Sequence, residues 1–139
     1  MDEGTFVDLL HFLEDHILDA PTKTLLRLAR RDEIRHVAHG MTHIKQGLSR
    51  NPNKINQLKR SVFERRNYLD ELSGESTLLL ESLAVITGGD TPSAIRKGFE
   101  ALEKLKKKME QNRTKRLMEC GIDEELAREL SKAHTSNFM

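Results

Sequence analysis

Apolar residues recur at three- and four-residue intervals along nearly all of this 139-residue chain, and that spacing leaves helices as the main building material. β-Branched runs are short and never alternate cleanly with polar residues, so strands are not expected. The helical pattern stops at Asp19-Ala20-Pro21-Thr22, at "SRNPNK" (49–54), at Ser73-Gly74, at Gly88-Gly89 and at Gly121. Six helices follow. The first runs from about Gly4 to Leu18, with Phe6, Leu10, Leu13 and Ile17 on one side, and the second from about Pro21 to Leu48. The third covers Lys54–Leu72, and the fourth contains "ESTLLLESLAVI" and closes at Gly88-Gly89. The fifth reaches Glu119, the sixth is "IDEELARELSKAH", and "TSNFM" remains as a tail. Asp19 or Thr22 caps the second helix and Asp90 or Thr91 the fifth, each with a proline in the first turn, where a missing N–H costs nothing.

The composition fits one modest core. Charged residues make up 32% of the chain, hydrophobic residues 37%, and the net charge is +1, which gives no global pull toward nucleic acid or a membrane surface. No apolar run approaches the roughly 18–20 residues of a membrane span. The first residues, "MDEGTFVDLL", carry acid where a secretory signal carries base, and the single cysteine, Cys120, excludes an internal disulfide framework. A cytoplasmic protein is the expectation, with Cys120 a small buried filler near a helix end. The chain reads as one all-α domain: a helix pair over 1–48 and a helical extension over 54–139 packed onto it.

One stretch of the second helix breaks the ordinary pattern. In "RRDEIRHVAHG" (30–40), Leu26, Ala29, Val37, Gly40 and Ile44 all fall within roughly 40° of Glu33 on a helical wheel. His36 lies one turn on near the edge of that stripe, and His43 on the same side, whereas Arg30, Arg31 and Arg35 are expected to point elsewhere. An ionised carboxylate among apolar neighbours is costly unless a proton or a cation compensates it. Glu-x-x-His sets a carboxylate oxygen and an imidazole nitrogen one turn apart, so that one helix can offer both to one metal ion. Mixed oxygen and nitrogen ligation suits iron or manganese better than a thiolate-seeking metal.

"RRDEIRHVAHGMTHI" resembles the last metal-binding helix of the ferritin-like diiron-carboxylate superfamily, which commonly reads Asp-Glu-x-Arg-His followed by a small apolar segment and Gly. Its members include ribonucleotide reductase small subunits, diiron N-oxygenases and many bacterial ferritin-like proteins. The resemblance implies a ferritin-like helical bundle in which Glu33 and His36 ligate iron and Asp32 orients a ligating histidine. It also implies a glutamate ligand about thirty residues upstream, where this chain has Glu3 on a face with Phe6, Val7, Leu10 and Ile17. The motif-bearing likeness covers roughly residues 3–48, and "HTSNFM" is a weaker cue of the same kind.

A complete diiron site takes one Glu from each of two helices and a Glu-x-x-His from each of two others. This chain offers one of each: Glu14, Glu64 and Glu81 do not complete a second motif. Two routes complete the set, a two-fold-related second copy of the chain or an N-terminal half lying outside it. The expected function is therefore a ferritin-like, partial diiron oxidase or oxygenase acting on an unspecified small organic molecule. The alternative is a non-catalytic helical interaction protein that keeps the motif as a relic.

The remaining polar features have plainer readings. His11, His16 and His39 read as surface or rim histidines, His43 as either a ligand-orienting or a core-edge residue, and His134 has no partner pattern. "EKLKKKMEQNRTKR" (103–116) interleaves acid with base and lacks aromatics, so it reads as a solvated helix face. Phe99, Leu102, Leu105 and Met109 are expected in the core. No phosphate-binding glycine loop, nucleophile–histidine order or zinc-finger spacing is present in the sequence.

Overall fold

Why six helices form, and where each stops, is visible at their ends. In a computed structural model of the chain, the backbone is described over residues 2–71 and 77–133 and the side chains over 4–68 and 77–133. The described residues form α1 (Asp2–His16), α2 (Ala20–Arg50), α3 (Lys54–Glu71), α4 (Thr77–Gly88), α5 (Pro92–Glu119) and α6 (Glu124–Lys132), with no strand among them. The chain is an all-α helical bundle. The expected break at Ser73-Gly74, His134 and the 135–139 tail lie outside the described residues.

Asp19, in extended conformation, accepts the Thr22 amide at 2.8 Å and starts α2 with Pro21 in its first turn. That cap ends α1 at His16 and not at Leu18, because residues 17–19 must leave the helix to present it. Thr91 accepts the Ala94 amide at 3.3 Å at the head of α5. Asp123 caps α6 by accepting the Leu126 amide at 3.0 Å, which moves the start of α6 two residues past Ile122. Gly121 (φ +92°) adopts the left-handed conformation that closes α5. Its amide bonds Met118 O at 2.9 Å and the Ile122 amide reaches Leu117 O at 3.3 Å, while Ile122 and Leu117 pack in one apolar cluster.

α5 is the spine, and two cores sit along it. In the first, Leu9 of α1, Leu83 and Ala84 of α4, and Leu102, Leu105 and Met109 of α5 close together. In the second, Leu117, Ile122, Ala127, Leu130 and Ala133 gather the α5–α6 corner against Val62 of α3. The backbones of α4 and α5 nearly touch: a Cβ placed on Gly98 would lie 2.0 Å from Ala84 O, and one on Gly88 would lie 1.9 Å from Ala94 O. Small residues on both sides are what let this hairpin close.

Two expectations for α5 need correction. Phe99 is 38% exposed and lies outside the buried cluster, because Gly98 and Leu102 turn the contact face one residue away from it. The basic segment 103–116 is not simply a solvated face: Leu105, Met109 and Arg113 are buried within it. Arg113 reaches inward because its Nη1 donates to Ser131 O at 2.7 Å, while Ser131 Oγ donates to Glu110 O at 2.8 Å, tying α6 to α5.

The α1–α2 pair is covered differently. α1 lies against α4 and α5 with Leu9 and Leu10 buried, whereas the 31-residue α2 contains no buried residue. Its inward stripe of Leu26, Arg30, Glu33, Val37, Gly40, Met41, Ile44 and Leu48 is only half-buried. Among the described residues, no helix is long and apolar enough to cross a membrane.

Candidate functional site

The polar residues singled out in the sequence lie along the middle of α2. Glu33 is on the inward stripe with a side chain 20% exposed, between the half-buried Arg30 and Val37, while Ala29 is exposed. His36 turns toward solvent, 68% exposed, and its Nδ1 donates to Glu33 Oε2 at 2.9 Å. That contact is what one helical turn between a carboxylate and an imidazole allows. Asp32 accepts from Arg35 Nη1 at 3.2 Å, both exposed. His43 is exposed and meets His39, Nε2 to Nε2 at 3.0 Å. Glu3 lies in the first turn of α1, and its side chain is outside the described residues.

Two ionic latches hold the α1–α2 pair in place. Glu14, buried at the end of α1, accepts Arg27 Nε at 2.8 Å and Arg30 Nε at 3.0 Å. The hydrogen bond from Arg27, followed by that from Arg30 and the charge of both guanidiniums, holds the Glu14 carboxyl below the usual glutamate range despite its burial. Arg30 therefore does not point away from the helix pair, as the wheel suggests. It sits 60° from Glu33 on the side of α1, and its long stem reaches the carboxylate waiting there. The second latch joins α1 to α5: Asp8 accepts Arg116 Nη2 at 2.8 Å and Asn112 Nδ2 at 2.7 Å.

Between these helices lies a small cavity of about 50 Å³, lined in part by Gly4, Val37, Gly40 and Ile44 and by Arg116 and Cys120. The Arg116 guanidinium fills the space a side chain on Gly4 would need, since a Cβ there would come within 2.1 Å of Nη1. Cys120, as expected, is buried at the end of α5, and its Sγ–H points to Met41 O at 3.6 Å. Burial pushes the Cys120 thiol up, with the Glu119 carboxylate adding to the effect, so it is a poor nucleophile.

Asp8, Glu14, Asn112 and Arg116 have structural roles not expected from the sequence, where Asn112 and Arg116 fall in the segment read as a solvated face. A signal existed: Asp8 shares a helical face with Phe12, and Glu14 one with Leu10 and Ile17, the same intrusion of charge into an apolar stripe that marks Glu33.

Among the described residues, no three His, Cys, Asp or Glu side chains converge as a metal cluster. Among the described residues, such donors come within 3.0 Å as Glu33 with His36 and as His39 with His43, and His11 lies 4.0 Å from Asp15. With metal–ligand bonds of about 2.0–2.2 Å, an oxygen and a nitrogen 2.9 Å apart subtend about 90° at a shared ion, the cis angle of an octahedron. The Glu33/His36 pair thus fits half of a carboxylate–histidine metal site and needs further ligands from elsewhere. Comparison with family models, with curated proteins and with solved structures finds no match to the chain.

Proposed function

We propose that the chain is a ferritin-like metal-binding protein of the diiron oxidase or oxygenase type, contributing one half of a two-metal site. The observation that carries this reading is the Glu33–His36 pair, with Glu33 on a stripe shared with Val37, Gly40 and Ile44 and His36 at its solvent edge, on a helix that contains no buried residue. Leu25, 67% exposed, and Leu28, 45% exposed, lie with His36 on one side of α2, within roughly 80° of one another. A second copy of the chain related by a two-fold axis would cover that side and bring a second Glu33–His36 pair toward the first.

In that assembly Glu33 and His36 would hold one ion through the carboxylate and the ring nitrogen that now bonds it, and Glu3 is the further ligand that the family resemblance implies. Iron supplies the capacity to reduce dioxygen and oxidise a small organic substrate, and manganese fits the same oxygen-rich donor set. The chain's own part is to hold the ligands still: the Glu14–Arg27–Arg30 latch fixes α2 against α1, and the Asp8–Arg116 bond fixes α1 against α5.

A non-catalytic interaction module is the second reading, favoured by the exposed Leu25, Leu28 and Ile34 taken alone. Anaerobic equilibrium dialysis against Fe(II), and separately Mn(II), distinguishes the two. The metal-site reading expects retention by the unmodified chain that Glu33→Gln and His36→Gln each weaken by at least about tenfold. Retention unchanged in both variants, or no retention at all, leaves only the interaction module.

A further inference from the structure

α2 carries a second pair of donors that the diiron reading does not use. His39 and His43 are exposed and four residues apart, with Nε2 atoms 3.0 Å from each other and rings nearly perpendicular, 84° between planes. One Nε2–H must donate to the lone pair of the other, since two bare lone pairs at this distance repel. Neither ring is paired with a carboxylate of the described residues, so no ion pair accounts for their convergence. An isolated hydrogen bond between two solvated imidazoles contributes little to stability, because water replaces it at small cost.

We propose that His39 and His43 form a separate, solvent-facing site for a divalent late transition ion, copper(II) or nickel(II). With metal–imidazole bonds of about 2.0–2.1 Å, nitrogens 3.0 Å apart subtend about 91–97°, near the cis angle of the tetragonal and square-planar fields these ions favour. A tetrahedral zinc ion would need the nitrogens about 3.3 Å apart, so it requires the pair to open. Imidazole nitrogens suit copper and nickel, whereas the Glu33/His36 pair, with its carboxylate, suits harder ions. Binding requires the donating ring to move its proton from Nε2 to Nδ1; with both rings neutral no proton is released, and water fills the remaining coordination positions. The helix supplies the preorganisation, since residues four apart already stack on one face.

The site stands independently of the diiron reading, and the experiment keeps the two apart. Calorimetric titration with Cu(II) alone, and with Ni(II) alone, in a buffer without metal ligands is run on the unmodified chain, on His39→Gln, on His43→Gln and on the double variant Glu33→Gln/His36→Gln. Copper(II) electron paramagnetic resonance counts the coordinated nitrogens in each. The proposal expects one ion bound through two imidazole nitrogens, each single histidine variant at least about tenfold weaker, and the double variant unchanged at this site. Both histidines are exposed, so circular dichroism of the variants is expected to match the unmodified chain. Equal binding by either single histidine variant, a one-nitrogen spectrum, or loss of the site in the double variant overturns it.

Discussion

Adding one methyl group at Gly98 pits helix propensity against packing, and the two terms have opposite signs. Replacing glycine by alanine inside a helix is worth about 1 kcal/mol in favour of folding. At Gly98, however, the new Cβ would lie 2.0 Å from the backbone oxygen of Ala84, 2.7 Å from its carbonyl carbon and 2.8 Å from its Cα. The shortest ordinary carbon–oxygen approach is about 3.3 Å, so α4 has to retreat by about 1.3 Å at this point. A backbone carbonyl cannot rotate aside as a side chain can. Ala84, Leu83, Leu102 and Leu105 belong to one buried cluster, and a gap of that size forfeits more than about half of each dispersion contact across it. Overpacking of this kind costs about 1–3 kcal/mol, and with a cluster opened as well we expect a net loss of about 2 kcal/mol. The matched control is Gly40→Ala in α2, where a Cβ meets no atom within 4 Å and the same change is expected to stabilise by about 0.5–1 kcal/mol. Urea denaturation at 25 °C, with the slope checked for constancy, reads both. A Gly98→Ala chain as stable as the original would refute the close α4–α5 contact on which the first core depends.

Further outcomes follow from the same structure. Leu117→Ala, at a fully buried position in the α5–α6 cluster, is expected to cost about 2–5 kcal/mol in the same assay, against no more than about 0.5 kcal/mol for the exposed Leu18→Ala. Equal effects would contradict the placement of the second core. Because the folded Glu14 carboxyl is held below its ordinary value of 4.5, its contribution to stability is fully present above that pH and is lost as pH falls through the lowered folded value. Melting temperature measured from pH 6 down to 3 is therefore expected to fall less steeply in Glu14→Gln than in the unmodified chain; parallel curves would remove the latch. Cys120, buried with a raised thiol pKa, is expected to react with iodoacetamide at pH 7.5 more than about tenfold slower in the folded chain than in urea. Comparable rates would place the thiol at the surface.

The helices were legible in the sequence because their punctuation is chemical. Asp19, Thr91 and Gly121 each do locally what their residue types favour, so the four expected breaks that fall among described residues mark real helix ends. What the wheel could not resolve was which of the charged residues near a stripe face another helix. Arg30, Asp8 and Arg113 have stems long enough, or partners near enough, to be used inside, and the partners lie on helices distant in sequence, as Asp8 with Arg116 shows. A single helix's periodicity contains no information about such a partner. The same limit applies to Glu33: its position on the inward stripe was readable, but its bond to His36 and the exposure of the rest of α2 depend on how little of the chain folds back over that helix.

Metal content and oligomeric state, measured together on one sample, bear most directly on the diiron reading. The chain is loaded anaerobically with Fe(II), freed of excess by gel filtration, and examined by metal analysis and sedimentation equilibrium. The two-fold half-site model predicts about two iron ions per dimer, and a shift toward monomer when a chelator removes them or when Glu33→Gln is introduced. A monomer that retains no iron above the Glu33→Gln level would contradict it.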